Sequence, residues 1–395
     1  MLAKNSKIVL LLIITELCIG GGGRLIAVGP VSLRMILFCI AMMLVILMQV
    51  RDKSFLPQYW KILASFLLVI LIGIVFGLIN YSPPRLLWED VKPLLYFFIL
   101  PFFALTIDKQ EIINSSRIIK ISTPVIAGLF FVTLILVHSN AIPFITFYRL
   151  TANTEEFFYR GELTFFYKGF LFLGIGLLFY YFSDCKKKYV FISILILAIV
   201  LSVTRGFLFS LAITFAVYFV REQKYSRVMI IAMMGLIIVI WGNKGTINFS
   251  RLFDSIKNEK SYEQSDPNLL GVRTYSDEGR IQQVNEVVEK TSISSFFVGH
   301  GFGQGISSRP IHMEIAYLEV FHKQGLVGLA FWGIVAWMIL VAYLRSDQSS
   351  IANAFFYSSI FVFTQSATNQ YFNNPIGMSV LLLSLVCLDK LKNSI

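Results

Sequence analysis

Residues 60–79 read WKILASFLLVILIGIVFGLI, a stretch whose one charge, Lys61, stands at its edge. About twenty helical residues rise roughly 30 Å, which matches the hydrocarbon core of a bilayer. In that medium every backbone polar group has to be bonded within its own segment, so the stretch is predicted as a membrane-spanning helix. Comparable apolar runs recur on both sides of it. The predicted spans are 7–21, 31–49, 60–79, 87–107, 117–138, 163–182, 188–204, 206–220, 228–242, 325–344, 351–370 and 375–389. About twelve spans in 395 residues, with 56% hydrophobic and 14% charged residues and a mean hydropathy of +0.72, describe an all-α polytopic membrane protein, read as a single domain over 1–395.

The opening residues, with Lys4 and Lys7 before an apolar run, resemble a signal peptide. That run contains Glu16 and lacks an A-x-A cleavage pattern, so it is read as the first span. A net charge of +11 would raise nucleic acid as a partner for a soluble chain. Here the cations cluster in short connections between spans, which membrane topology explains without nucleic acid. Seventeen of the 34 Lys and Arg flank the termini and the segments 50–59, 108–116, 183–187, 221–227 and 345–350. By the positive-inside rule those segments and both termini are cytoplasmic. This cytoplasmic set holds twelve Lys and five Arg, whereas the outer set holds ten Arg and seven Lys. Topogenesis asks only for positive charge. A preference for the planar, bidentate guanidinium on the outer face points to an anionic ligand there, with lipid headgroups as the plainer explanation.

The four cysteines sit in apolar spans or beside Lys186–Lys188, so no disulfide is expected. No internal repeat or matched pair of broken spans favours a transporter. The long polar stretch 243–324 is predicted as an outer loop containing short amphipathic helices. Within it, Gly279–Glu289 has a helical rhythm with Ile281, Val284, Val287 and Val288 on one side, as for a helix lying on the membrane surface. The run Gly299-His300-Gly301-Phe302-Gly303-Gln304-Gly305 lacks the strand–turn–helix setting of a phosphate loop and reads first as a glycine-rich turn. After Pro310 a helix is expected over His312–His322, stopping near Gly325. If helical from His312, that segment turns Glu314 about 200° away from His312, so the two could not serve one substrate atom; a non-helical His312 lifts the objection.

Arg205, between two apolar runs at a sharp outer turn, is a functional candidate because an arginine at membrane depth is costly unless used, with headgroup snorkelling as the bland alternative. Arg280 has Gln283 and Val284 three and four residues on, so an intrahelical salt bridge does not account for it. His312 could equally be a capping or interfacial histidine. Four histidines without H-x-x-x-H or H-E-x-x-H spacing give no expectation of a protein-held zinc, and no metal or other cofactor is expected.

The order Thr204-Arg205-Gly206, Gly279-Arg280, Val298-Gly299-His300-Gly301-Phe302-Gly303, His312-x-Glu314-x-x-Tyr317-Leu318 and Lys323-Gln324-Gly325-Leu326-Val327-Gly328 resembles the O-antigen polymerase and O-antigen ligase superfamily, over residues 200–330. The resemblance implies a C-type glycosyltransferase-like fold and an undecaprenyl pyrophosphate-linked glycan as donor, with a lipid-linked acceptor. It also implies a periplasmic active site and allows a chain-length regulator as a partner beside the membrane lipids. By the same resemblance Arg205 and Arg280 hold the pyrophosphate, with Arg160, Arg273, Arg309 and Tyr317 as further substrate contacts. His312 assists attack by the acceptor hydroxyl, and Glu314 shares or replaces its role. Ligases of the superfamily follow the histidine with Asn and later carry Glu-x-Gly; Met313-Glu314 and Lys323-Gln324-Gly325 look more like the polymerases. A ligase is the nearest alternative and an exporter without chemistry the next.

Overall fold

The computed structural model describes residues 2–29, 31–52, 57–160, 164–227 and 275–392. Among them are fifteen α-helices: α1 (Leu2–Ile19), α2 (Leu33–Asp52), α3 (Pro57–Ile79), α4 (Pro84–Leu94), α5 (Leu100–Thr106), α6 (Lys109–His138), α7 (Phe144–Thr151), α8 (Leu171–Tyr181), α9 (Lys188–Leu201), α10 (Arg205–Arg221), α11 (Tyr275–Lys290), α12 (Ile293–Val298), α13 (Ala316–Arg345), α14 (Ser350–Gln365) and α15 (Pro375–Lys390). Two antiparallel hairpins of short strands join them: β1 (Ala27–Val28) with β2 (Val31–Ser32), and β3 (Phe157–Arg160) with β4 (Thr164–Tyr167).

Four helices among the described residues, α2, α3, α6 and α13, are long and apolar enough to cross a bilayer by themselves. Their outward positions stay apolar: Leu67, Leu68, Leu71 and Val75 on α3, and Ile121, Val125, Leu129 and Val132 on α6, are all exposed. A belt of that kind needs lipid against it rather than water. Inside it lie helices that are apolar all round. Every residue of α15 from Ile376 to Leu388 is buried, as is every residue of α8 up to Tyr180. These two pack against α14, with α6, α9 and α10 around α8 and α14, and α3 and α13 on the other flank. The chain is a multi-pass helical membrane protein.

The connections assigned to one side by their charge meet one another. Lys7 pairs with Asp108, the N-cap of α6, at 2.6 Å; Tyr59 donates to Asp389 at 3.0 Å; Arg221 donates to Gln348 at 2.7 Å, and Ser346 bridges to Lys392. At the opposite ends, Gly22 N–H and Arg24 N–H donate to the buried carboxylate of Glu156 at 2.6 and 2.8 Å, and Asn80 donates to His300 O at 2.8 Å.

Several boundaries differ from expectation. The predicted span 163–182 begins instead as strand β4, whose partner strand needs Thr164–Tyr167 extended, and becomes α-helical at Leu171. The predicted span 87–107 is broken into α4, a 3-10 turn at Leu95–Ile99 and α5, because Pro93 and Pro101 each remove an amide donor. The predicted span 228–242 lies outside the described residues, as does the loop over 243–274. Helix α13 starts at Ala316 rather than at Pro310, so residues 310–315 approach it in a non-helical path; the break at Gly325 is real, with φ 62° and ψ −156°, but α13 resumes beyond it.

Gly301 (φ 88°) carries the glycine-rich run against α3, and a Cβ there would stand 1.9 Å from Gly77 N. Gly301→Ala is therefore expected to cost about 3 kcal/mol or more, from left-handed strain and overpacking together. The thermal midpoint of the purified protein in detergent should fall accordingly, while Gly279→Ala, on open helical surface, should hold or raise it. A second prediction concerns Glu16 and Arg34, which form a buried pair across α1 and α2 at 2.8 Å. Glu16→Met alone strands a buried guanidinium and should cost about 3–5 kcal/mol, whereas Glu16→Met combined with Arg34→Met should recover much of that midpoint.

Candidate active site

Three of the motif segments converge where α11, the 299–315 segment and the start of α13 meet. Helix α11 docks through Gln283 and Val287, both buried, so Val287 leaves the apolar stripe predicted for the membrane surface; Ile281, Val284 and Val288 remain exposed. Val287 packs with Ile306 and Met313, and Gln283 Oε1 accepts from Glu314 N–H at 2.9 Å. One turn before Gln283, Arg280 Nε donates to Glu314 Oε2 at 3.1 Å, while Arg309 holds the other carboxylate oxygen. Both guanidinium groups thus converge on one anion, and that anion is at present a side chain of the protein itself.

His312 stands two residues before Glu314 in the non-helical path, so the helical objection to their cooperation lapses. Its ring is half-exposed, and Nδ1 lies 3.2 Å from Glu319 Oε1 and 3.7 Å from Asp90 Oδ1. Behind it Lys323, almost wholly buried, donates to Glu319 at 2.6 Å, to Asp90 at 2.7 Å and to Ile311 O at 2.6 Å. The donor atoms of Asp90, His312 and Glu319 all lie within 4.8 Å of one another, a set that could hold a divalent cation. The Lys323 ammonium bonds one oxygen of each carboxylate, so the cluster carries a positive charge of its own.

The glycine-rich run does not present its amides to a ligand. His300 N–H donates to His322 O at 2.8 Å, Gly301 N–H to Lys323 O at 3.0 Å, Phe302 N–H to Gly73 O at 2.9 Å and Gly303 N–H to Asp90 Oδ2 at 2.7 Å. Its job is close backbone packing between α3, α4 and α13. Burial pushes the His300 imidazole below its ordinary basicity, and it stacks near His322 with ring centres 4.6 Å apart.

Arg205 is exposed at the first position of α10, after a turn in which Val203 takes φ 51°, a rare conformation for a β-branched residue. Gly206 next to it packs on Thr368, and Ser210 donates to Gln365 at 2.9 Å, which ties this end of α10 to the segment after α14. That segment reaches the histidine side, because Gln370 and Asn373 both donate to Glu319 Oε2 and Ala316 N–H donates to Ser366 O at 3.2 Å. Arg160 ends β3 opposite Thr164, whose hydroxyl donates to Leu201 O at 2.9 Å, just ahead of the Arg205 turn. Tyr317 turns inward: its hydroxyl donates to Phe363 O at 2.9 Å and its ring packs on Phe372. Arg273 lies outside the described residues. Asp90 was not singled out from the sequence; the available signal was the charged group Glu89, Asp90 and Lys92 at the start of the otherwise apolar 87–107 stretch.

No protein-family model matches the chain. The O-antigen polymerase of Shigella flexneri is 26% identical over 388 residues, which cover 95% of this chain and 93% of that protein. The likeness seen in the motifs of residues 200–330 thus runs nearly end to end, and the chain is similar along almost its whole length to an O-antigen polymerase.

Proposed function

We propose that this protein polymerises surface polysaccharide of the O-antigen type, transferring a growing glycan from undecaprenyl pyrophosphate to a lipid-linked repeat unit on the periplasmic face of the inner membrane. The observation that carries the proposal is the placing of a two-arginine anion site, Arg280 and Arg309 around Glu314, beside the half-exposed imidazole of His312. Similarity to an O-antigen polymerase along almost the whole chain supports the general activity. About twelve spans, both termini cytoplasmic, and the segment 243–324 as a periplasmic cover over the site belong to the same proposal; a chain-length regulator is a compatible partner.

The chemistry follows from charge. As the acceptor hydroxyl attacks the anomeric carbon, its proton passes to His312. The bond from the anomeric carbon to the pyrophosphate oxygen breaks, and its electron pair leaves with the pyrophosphate. Negative charge therefore grows on the leaving group, and preorganised guanidinium groups stabilise it where water is scarce. Glu314 holds their place until the diphosphate displaces it. The base is assigned to His312, whose Nδ1 is anchored by Glu319 at 3.2 Å. Arg205, at the start of α10, Arg160, at the end of β3, and Arg273 are assigned to the same lipid-linked diphosphate. Tyr317 supports the wall through Phe363 and Phe372. Lys323 supplies the fixed positive charge that a metal would otherwise provide between Asp90 and Glu319, so the transfer is proposed to be metal-independent.

Deleting the gene should leave a surface glycan of one repeat unit on lipid A core and no ladder on a gel. Loss of all attached glycan would point to a ligase or a flippase instead. In the complemented strain, Arg280→Lys and His312→Ala should each abolish chain growth at unchanged protein level, and in a purified assay loss of one arginine should lower the rate by about 10²–10³-fold. Full-length polymer from both variants would refute the site.

A further inference from the structure

We infer that Glu319 is a positioning residue for His312, holding the proton on Nδ1 so that Nε2 is left as the atom that takes the acceptor's proton. The inference rests on the base role proposed above for His312 and concerns how that base is set. A carboxylate can only accept, so the 3.2 Å contact between His312 Nδ1 and Glu319 Oε1 makes Nδ1 the donor. A neutral imidazole protonated at Nδ1 has its one basic lone pair on Nε2, and the side chain as a whole is half-exposed. Glu319 is itself immobilised: Lys323 bonds Oε1 at 2.6 Å, and Gln370 and Asn373 both donate to Oε2. Lys323 also donates to Ile311 O, one residue before the histidine, so the backbone carrying His312 and the carboxylate orienting it are fixed by the same ammonium.

The charge balance gives the inference a sign. When Nε2 takes the proton, the imidazolium faces Glu319 and Asp90 as negative groups and Lys323 as a positive one. Farther along its own segment are Glu314 and Arg309, with Arg280 of α11 paired to Glu314. Removing the charge of Glu319 takes away the negative group that faces the imidazolium formed in the step, so the loss should fall on kcat rather than on KM; a residue that merely filled space would not divide it that way.

The test uses the full-length protein in lipid nanodiscs with lipid-linked repeat units extracted from the deletion strain, measuring kcat and KM. Glu319→Gln keeps the shape and an acceptor oxygen but removes the charge. It is expected to lower kcat on the order of 10²-fold with KM nearly unchanged. Asp90→Asn, farther from the ring, should lower kcat by less with KM likewise nearly unchanged, and it serves if Glu319→Gln fails to accumulate. An unchanged kcat in the folded variants, or a loss that appears in KM instead, overturns the inference. His312→Ala separates the two proposals: if it is inactive while Glu319→Gln matches the parent, the base stands and the positioning role falls; if it is active, the base itself falls.

Discussion

An ammonium group is buried beside the site, and much of the architecture around it follows from its need for partners. Lys323 lies on α13 in a protein whose surroundings are apolar, where an unpaired charge would cost several kcal/mol or more. One carboxylate comes from its own helix one turn back, Glu319; the other, Asp90, has to be brought in by α4 from far away in the chain. Asp90 in turn accepts from Gly303 N–H, so the glycine-rich run is drawn between α3, α4 and α13. The third bond of Lys323, to Ile311 O, sets the path of the residues that carry His312. One charge therefore links three helices, the glycine-rich run and the approach to α13.

The two halves of the proposed site are built on different principles. The arginine side is held by an ion pair that can be replaced: Glu314 is part-exposed and shared by two guanidinium groups, and a diphosphate brings more acceptor oxygens than one carboxylate. The histidine side is held by groups that cannot leave, since Glu319 is buried and bonded by four donors. Such a division suits a transfer reaction. In the proposed reaction the donor diphosphate enters and leaves at each addition, whereas the proposed base returns to the same tautomer every time.

The strained turn at Val203 and the break at Gly325 belong to the same economy. Val203 reverses the chain so that Arg205 opens α10 at the end of the helix rather than within it. Gly325 lets α13 bend where a Cβ would strike Phe297 backbone at 2.4 Å, and this allows α12 to pack across it.

The membrane class, most helical segments, the grouping of cation-bearing connections and the candidates Arg205, Arg280 and His312 were legible in the sequence, because bilayer thickness and the cost of unpaired charge act on local stretches. Gly325 was legible as a break for the same local reason. The start of α13 was not, since residues 310–315 are held out of the helix by Lys323, Gln283 and Ile306, all contributed through space. The β3–β4 hairpin was hidden inside an apolar run, because Phe165 and Phe166 suit a strand as well as a span. Asp90 showed only as one of two adjacent acids, beside Glu89, and Glu319 as one face of an expected helix. The bond from Lys323 to Asp90 joins positions 233 residues apart, and no periodicity encodes such a pairing. Local physics wrote the spans and the exposed arginines into the sequence; only the fold decided which charges met, because a buried ion chooses its partner by distance in space.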